Sequence, residues 1–507
     1  MENVCLIGVD VGTSATKVVA FDTSGKVLSE YSVEYPLYQP NNGWAEQDPQ
    51  DWAAAAINGL TEVIKCLNGK TVAGIGVSGQ MHGLVMLDEN MKPIRRSIIW
   101  CDQRTVKECD EITQKVGKER LFEITCSPAL TGFTASKLMW VKNNEPDNYA
   151  KCKHMLLPKD YVRFCLAGTL YMDYSDASGT QLLDIKNRSW SKEVCDTLGI
   201  DMSILPELCD SCASCGNITE EIAAKIGLSY TCPVAAGAGD NASAAVGCGV
   251  VENGDAFATI GTSGVVFAPT DEIKLDSKGR IHTFCSAVPD QWHVMGVTQA
   301  AGLSLKWIKD NLCVDISENA KNNGGSAYAV IDKVAEETPI GSNGVMYVPY
   351  LMGERTPHLD PFARGAFIGL GGANTRNDML RATMEGVSFS LKDCLEIFAE
   401  VDVKPSKTVL CGGGAKSPLW RNMLTDVFCT DTCTSSSTES CALGAAILAG
   451  VASGVYKNVK EGCEKSVFEN DVLVPNEANS EKYAKYYEIY KKIYPALKGI
   501  NIELVNM

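Results

Sequence analysis

One pattern occurs twice in this chain and limits what it can fold into. Val4-Cys-Leu-Ile-Gly-Val9 is an unbroken apolar run, Asp10-Val-Gly-Thr-Ser14 is a small polar tip, and Lys17-Val-Val-Ala-Phe21 is apolar again. Half a chain later the order returns as Ala256-Phe-Ala-Thr-Ile260, Gly261-Thr-Ser263 and Gly264-Val-Val-Phe267. Short apolar runs bounded by turn residues read as buried strands, so each copy predicts a hairpin tipped by a glycine and two hydroxyls. A repeat at this period predicts two similar α/β domains facing a shared cleft, divided as 1–246 and 247–507. The length of 507 residues agrees, since a single hydrophobic core stops growing well below it. Backbone N–H groups at such a tip can cradle phosphate oxygens, and Asp10 can hold a hydrated Mg²⁺. Plain hairpin turns favour the same residues, and on this window alone both readings stand.

Charge and cysteine usage narrow the function classes. Lys and Arg number 46 against 62 Asp and Glu, a net charge of −16 that offers no broad surface to nucleic acid or an anionic membrane. The apolar run Val4–Val9 is too short and wrongly flanked for a secretory signal, and no later stretch reaches membrane-spanning length. A cytoplasmic setting is expected, with the 21 cysteines as reduced thiols. Cys209, Cys212 and Cys215 have the spacing of metal ligands, but no fourth cysteine follows at a matching interval, so a structural role is expected.

Several other windows carry candidate chemistry. Gly237-Ala-Gly-Asp240-Asn-Ala-Ser-Ala-Ala-Val-Gly247 sets a lone carboxylate where a tight turn passes into a small-residue helix; Asp240 reads as a proton acceptor or as a helix N-cap. Thr71 to Ser78 is a strand delivering Gly79-Gln-Met81-His82-Gly83 to its end, where ligands gather in open α/β sheets. Asp102 and Arg104 follow a strand end and read as site residues or as a structural ion pair. Gly412-Gly413-Gly414-Ala415-Lys416 is a turn with almost no side chain to obstruct a ring or phosphate. The pattern from Leu121 to Asn144 predicts one helix, Thr375 with Asp378 predicts a capping box opening a long helix, Cys441–Ala446 begins a small-residue helix, and 480–494 predicts an amphipathic one.

Taken together these residues resemble the FGGY family of carbohydrate kinases across essentially the whole chain. The resemblance rests most heavily on Gly132-Phe-Thr-Ala-Ser-Lys137-Leu-Met-Trp140-Val-Lys-Asn-Asn144 and on Gly365-Ala-Phe-Ile-Gly369-Leu370 leading to Asp378-Met-Leu-Arg-Ala382-Thr-Met-Glu385. It implies the actin-like ATPase (ribonuclease H-like) fold, with ATP and Mg²⁺ as cofactors and a small sugar as substrate, and it admits a homodimer. Within the family the sequence looks most like the branch acting on D-xylulose at O5, through Glu46-Gln-Asp-Pro49, Gly79-Gln-Met-His-Gly83, Leu157-Pro-Lys-Asp160, Gly239-Asp-Asn241 and Gly353-Glu-Arg-Thr-Pro-His358. By that resemblance Asp240 is the general base, and Met81, His82, Asp240 and Asn241 line the sugar site. Gly12, Thr13, Ser14, Lys17, Gly261, Thr262, Ser263 and Gly412 to Ala415 hold the nucleotide, and Asp10 assists the metal. Cys101, where Asn is expected, and Glu439-Ser-Cys441 depart from the family pattern.

Rival readings exist. An actin-like ATPase switch would share both Gly-Thr-Ser tips, but would not need a Met-His loop. A sugar-sensing protein without catalysis would not need Asp10, Lys17 and Asp240 together. A kinase for ribulose, gluconate, glycerol or another polyol would keep the chemistry and change only the sugar.

Overall fold

The computed structural model describes residues 3–507. Strands β1 (Val4–Val11), β2 (Ala15–Asp22) and β3 (Val27–Glu34) form an antiparallel meander in which Asp10 lies opposite Lys17. Helix α1 (Pro49–Lys65) starts where Asp48 accepts the Gln50 N–H and a proline occupies the first turn, and it buries Trp52, Ala56 and Leu60. It leads into β4 (Thr71–Gly79), parallel to β1. Helices cover both faces of this pair, so its strands read as continuous apolar runs and not as alternating ones.

Residues 121–144 do not form the one helix that their pattern predicts. They belong to α2 (Lys118–Thr125) and α3 (Thr134–Asn144), separated by a loop. Cys126 there takes a left-handed backbone with φ 53°, and Pro128 has no N–H for a helical ladder. Strands β5 (Ser214–Asn217), β6 (Pro233–Ala235) and β7 (Ala238–Gly239) complete the first sheet, in the order β5-β6-β4-β1-β2-β3 with β7 also against β4. Helix α4 (Asp240–Gly247) follows directly from β7.

The second half repeats this plan. Strand β8 (Asp255–Ile260) pairs antiparallel with β9 (Gly264–Thr270). Strands β10 (His282–Cys285) and β11 (Trp292–Thr298) come next, and β11 pairs antiparallel with β9. Helices α5 (Gly302–Leu312) and α6 (Arg376–Glu400) precede β12 (Lys407–Cys411), which is parallel to β8. A hairpin, a third antiparallel strand and a parallel crossover strand therefore recur in both halves. Helix α6 opens with the expected capping box: the Thr375 N–H donates to Asp378 at 2.7 Å. Strand β13 (Asp431–Ser435), helix α7 (Ser440–Ala452), strand β14 (Glu469–Leu473) and helix α8 (Glu477–Asn506) end the chain. Helix α8 is longer than the predicted stretch and buries Tyr483, Tyr487 and Tyr490.

Helix α7 belongs by sequence to the second half but packs on the first sheet. Cβ atoms added at Gly8 and Gly76 would lie 1.8 Å from the Ala442 carbonyl and 1.9 Å from the Ala445 carbonyl, and one at Gly74 would lie 2.9 Å from that of Ala449. Helix α7 also crosses α4 at two glycines. A Cβ at Gly247 would meet the Ser440 carbonyl at 1.9 Å, and one at Gly444 the Ser243 carbonyl at 1.9 Å. Small residues on α4 and α7 are thus the condition for backbone-to-backbone contact. Gly76→Val should lift α7 from the sheet and destabilise the protein by roughly 3 kcal/mol, while Gly372→Ala, with nothing within 4 Å, should be neutral; thermal unfolding of the two variants checks this.

Candidate active site

The first sheet's register brings two carboxylates together. Asp10 on β1 lies beside Ser78 on β4, and Ser78 lies beside Ala238 on β7. One residue further, Val11, Gly79 and Gly239 align, and the chain then enters α4 at Asp240. Asp240 and Asp10 therefore sit at neighbouring ends of parallel strands, where open α/β sheets place their ligands. Asp240 is not the N-cap of α4, which is Gly239. Its Oδ1 accepts the Asn241 backbone N–H at 2.7 Å and the Asn241 side-chain amide at 2.9 Å, so Oδ2 remains to accept a proton. Burial raises the Asp240 carboxyl to about 6 against the pull of the Asn241 donors. Burial, then the like charges of Asp240 and Glu439, raise Asp10 to about 7.

The Met81-His82 loop stands against the same strand end. Met81 packs on Gly239, where a Cβ would come within 2.9 Å of its Cγ. His82 has φ 69°, and its carbonyl accepts from the Lys137 ammonium at 2.9 Å and the Thr134 hydroxyl at 3.1 Å. Its Nδ1 lies 3.0 Å from the Gly179 carbonyl, which can only accept, so Nδ1 carries the proton. Burial, reinforced by Lys137, holds the ring neutral and well below the usual histidine range, leaving Nε2 as an acceptor. The ring packs edge-on against Phe133 at 4.7 Å.

The two Gly-Thr-Ser tips are built alike and secured differently. At the first, Gln47 donates to the Thr13 carbonyl at 2.6 Å, Trp100 to the Thr13 hydroxyl at 2.9 Å, and the Tyr35 hydroxyl to the Gly12 carbonyl. Lys17 pairs with Glu439 at 2.7 Å and Glu30 at 3.2 Å. At the second, the N-terminus of α5 donates to the tip: Gly302 N–H to Gly261 at 2.7 Å, Ala301 and Leu303 N–H to Thr262 at 3.0 and 3.1 Å. A cavity of about 650 Å³ opens beside it, lined by Thr262, Leu303, Tyr328, Asp332, Gly413 and Trp420. Gly412 has φ 80°, and a Cβ there would lie 2.7 Å from the Ile260 carbonyl, so only glycine lets the 412–415 turn approach β8.

Other residues brace the site through partners that no stretch of sequence shows. Lys159 is fully buried, with Asp160 at 2.5 Å and Asp173 at 2.8 Å. Burial favours the neutral amine, but Asp160, Asp173 and Asp176 outweigh it and keep Lys159 charged. Asp173 accepts from Ser175, whose hydroxyl accepts the Gly239 N–H at 3.4 Å, so the network braces the strand before Asp240. Leu157-Pro-Lys-Asp160 is visible in sequence, but its partners are not. The Cys441 thiol donates to the Asp240 carbonyl at 3.5 Å. Asp102 and Arg104 form a structural ion pair: Arg104 binds Asp102 at 2.8 Å and Glu46 at 2.8 Å under Trp44. Among the described residues no group of three or more His, Cys, Asp or Glu could hold a metal ion, Cys209, Cys212 and Cys215 included.

The duplicated hairpin sheets are those of the actin-like ATPase fold. The chain belongs to the FGGY family of carbohydrate kinases: residues 5–247 match its N-terminal domain and residues 256–453 its C-terminal domain. As such it is an ATP-dependent sugar kinase. It is 40% identical over 501 residues to a xylulose kinase of Bacillus subtilis, covering 98% of each chain. A ligand-bound xylulose kinase from Lactobacillus acidophilus superposes with a TM-score of 0.92 at 27% identity, over 99% of this chain and 100% of that one. A gluconate kinase from the same organism superposes with a TM-score of 0.90 at 28% identity, over 97% and 98%. No helix among the described residues is long and apolar enough to cross a membrane.

A carboxyl whose folded pKa is raised costs stability when it ionises. For Asp240 the cost is absent below its ordinary value of 3.8 and is complete once the pH exceeds about 6. Asp240→Asn should therefore melt a few degrees higher than the wild type at pH 8, with the gain shrinking toward pH 4; calorimetry at both pH values checks this.

Proposed function

We propose that this chain transfers the γ-phosphoryl group of ATP to O5 of D-xylulose, giving D-xylulose 5-phosphate and ADP, with Asp240 as the general base. The observation that carries the reading is the register that sets Asp240 beside Asp10 and against the Met81-His82 loop. In this reading Met81, His82 and Asn241 hold the sugar: Asn241 fixes the carboxylate through Oδ1, and His82 Nε2 accepts a sugar hydroxyl. Oδ2 of Asp240 takes the proton of the attacking hydroxyl as the new P–O bond forms. A carboxyl near 6 is a better base than an ordinary aspartate and is still largely ionised at neutral pH.

The nucleotide is assigned to both tips, Gly12 to Ser14 and Gly261 to Ser263, and to the Gly412 to Ala415 turn beside the cavity. Lys17 reaches the phosphates once released from Glu439 and Glu30. Asp10 suits Mg²⁺ on one observation: its Oδ1 is buried and has no hydrogen-bond partner. A single carboxylate fits an ion that keeps waters and phosphate oxygens as its other ligands. Mg²⁺, when bound there, neutralises charge on the phosphates. The sugar rests mainly on residues 1–246 and the nucleotide mainly on 247–507. A reduced cytoplasmic setting belongs to the same reading, since all 21 cysteines are free thiols.

The full-length likeness to xylulose kinases supports the choice of sugar, while the nearly as close superposition of a gluconate kinase keeps that acid as the rival substrate. ATP-dependent phosphorylation across D-xylulose, D-ribulose, gluconate and glycerol separates them, and D-xylulose should give the highest kcat/KM. Asp240→Ala should lower kcat on the order of a thousandfold or more, with little change in ATP affinity. The wild-type kcat/KM should fall on the acid side with an apparent pKa of about 6, because only the ionised carboxylate accepts the proton.

A further inference from the structure

Among the described residues Arg355 is a cation with no hydrogen-bonded or ion-paired partner for its guanidinium, the neighbouring Glu354 carboxylate acting on it only through space. It lies in Gly353-Glu-Arg-Thr-Pro357, in the second half, yet its guanidinium reaches the wall built by the first: a Cβ at Gly132 would lie 3.2 Å from its Nη2 and 3.2 Å from the Trp100 carbonyl. Gly132 is the residue whose carbonyl accepts from Lys137 at 2.6 Å, and Lys137 also holds the His82 carbonyl. Arg355 thus stands beside the Met81-His82 loop, close enough for its charge to act on His82, Lys137 and His282. Among the described residues its guanidinium makes no hydrogen bond or ion pair, whereas Arg104, Arg163, Arg280 and Arg381 are each bonded to carboxylates or carbonyls. A half-buried guanidinium with five donors and no protein acceptor is free to take one from a ligand.

The backbone that carries it is fixed. Glu354, 3% exposed, accepts from the Arg355 N–H at 2.8 Å, the Gln299 N–H at 2.9 Å and the Thr298 hydroxyl at 2.6 Å. The Thr356 N–H donates to the Val297 carbonyl at 3.0 Å. These bonds fasten the loop to the end of β11, and Thr298 lies opposite Gly264, the first residue after the second Gly-Thr-Ser tip. The side chain is therefore presented across the cleft from the half that carries that tip.

We propose that Arg355 is a substrate-binding and specificity-determining residue that donates a two-pronged hydrogen bond to oxygens of the sugar. Asp240 starts α4 on the first half and Arg355 reaches in from the second beside Gly132, so Arg355 grips the part of the sugar away from the hydroxyl that is phosphorylated. A planar fork selects a ligand with two adjacent oxygens on that part, as a polyhydroxylated ketose offers. This rests on the sugar-kinase reading above.

The test is steady-state kinetics of full-length wild type, Arg355→Ala and Arg355→Lys, with ATP and whichever sugar of the panel the wild type phosphorylates fastest. Arg355→Ala should raise the sugar KM on the order of ten- to a hundredfold, with the ATP KM held within about twofold. Added methylguanidinium should recover part of the loss, and Arg355→Lys should fall between. An unchanged sugar KM, or sugar and ATP KM rising together with a lower melting temperature, would overturn the assignment. Should the alanine variant fail to fold, the lysine variant is read by the same KM split. A wild type that phosphorylates none of the panel sugars would strike the kinase reading itself, whereas an active wild type with indifferent Arg355 variants strikes this residue alone.

Discussion

The contact between backbone and backbone at helix α7 underlies the geometry of the site. Helix carbonyls pressed against strand glycines at Gly8 and Gly76 leave no room for a methyl group, and the crossing with α4 at Gly247 and Gly444 is equally bare. Interiors packed this closely transmit displacement instead of absorbing it. Asp240 begins α4, so its position relative to β1 is set by α7 wedged between helix and sheet. Helix α7 also brings Glu439 to Lys17 and Cys441 to the Asp240 carbonyl. Neither half of the chain could build this environment alone.

Electrostatics around Asp240 follow from that packing. Two other carboxylates, Asp240 and Glu439, lie near enough for their charges to act on Asp10, in a region where burial already disfavours ionisation. Folding tolerates the repulsion because Lys17 pairs with Glu439 and Asn241 donates to Asp240. Strain of this kind is usual where a carboxyl is tuned toward neutral pH. The same arrangement would welcome cationic charge from outside the chain, which is consistent with a metal–nucleotide complex as the second substrate.

Much of this was legible in the sequence, for local reasons. The hairpins, the α6 capping box and the Gly412 turn declare themselves because turn chemistry and apolar runs are properties of a few adjacent residues. Gly79-Gln-Met-His-Gly83 was legible as a loop at a strand end, and β4 does deliver it there. The break between α2 and α3 was not, because apolar spacing continues through a segment where Cys126 and Pro128 end the helix. Nor were the partners of Lys159, the reach of Arg355 to Gly132, or the return of α7 to the first sheet. Each joins residues that only the folded backbone brings together, and no window of sequence contains both members. Asp102 and Arg104 were ambiguous for a related reason: Glu46 and Trp44, which settle the pair as structural, lie more than fifty positions upstream.

The two hairpin tips differ in how they can change. Side chains of Gln47, Trp100 and Tyr35 secure the first tip, and each is a separate genetic unit that a point mutation can replace. Main-chain donors at the start of α5 secure the second, and no substitution removes a peptide N–H short of proline. A repeat built this way leaves one tip open to change by single side-chain replacements and the other held by the main chain itself.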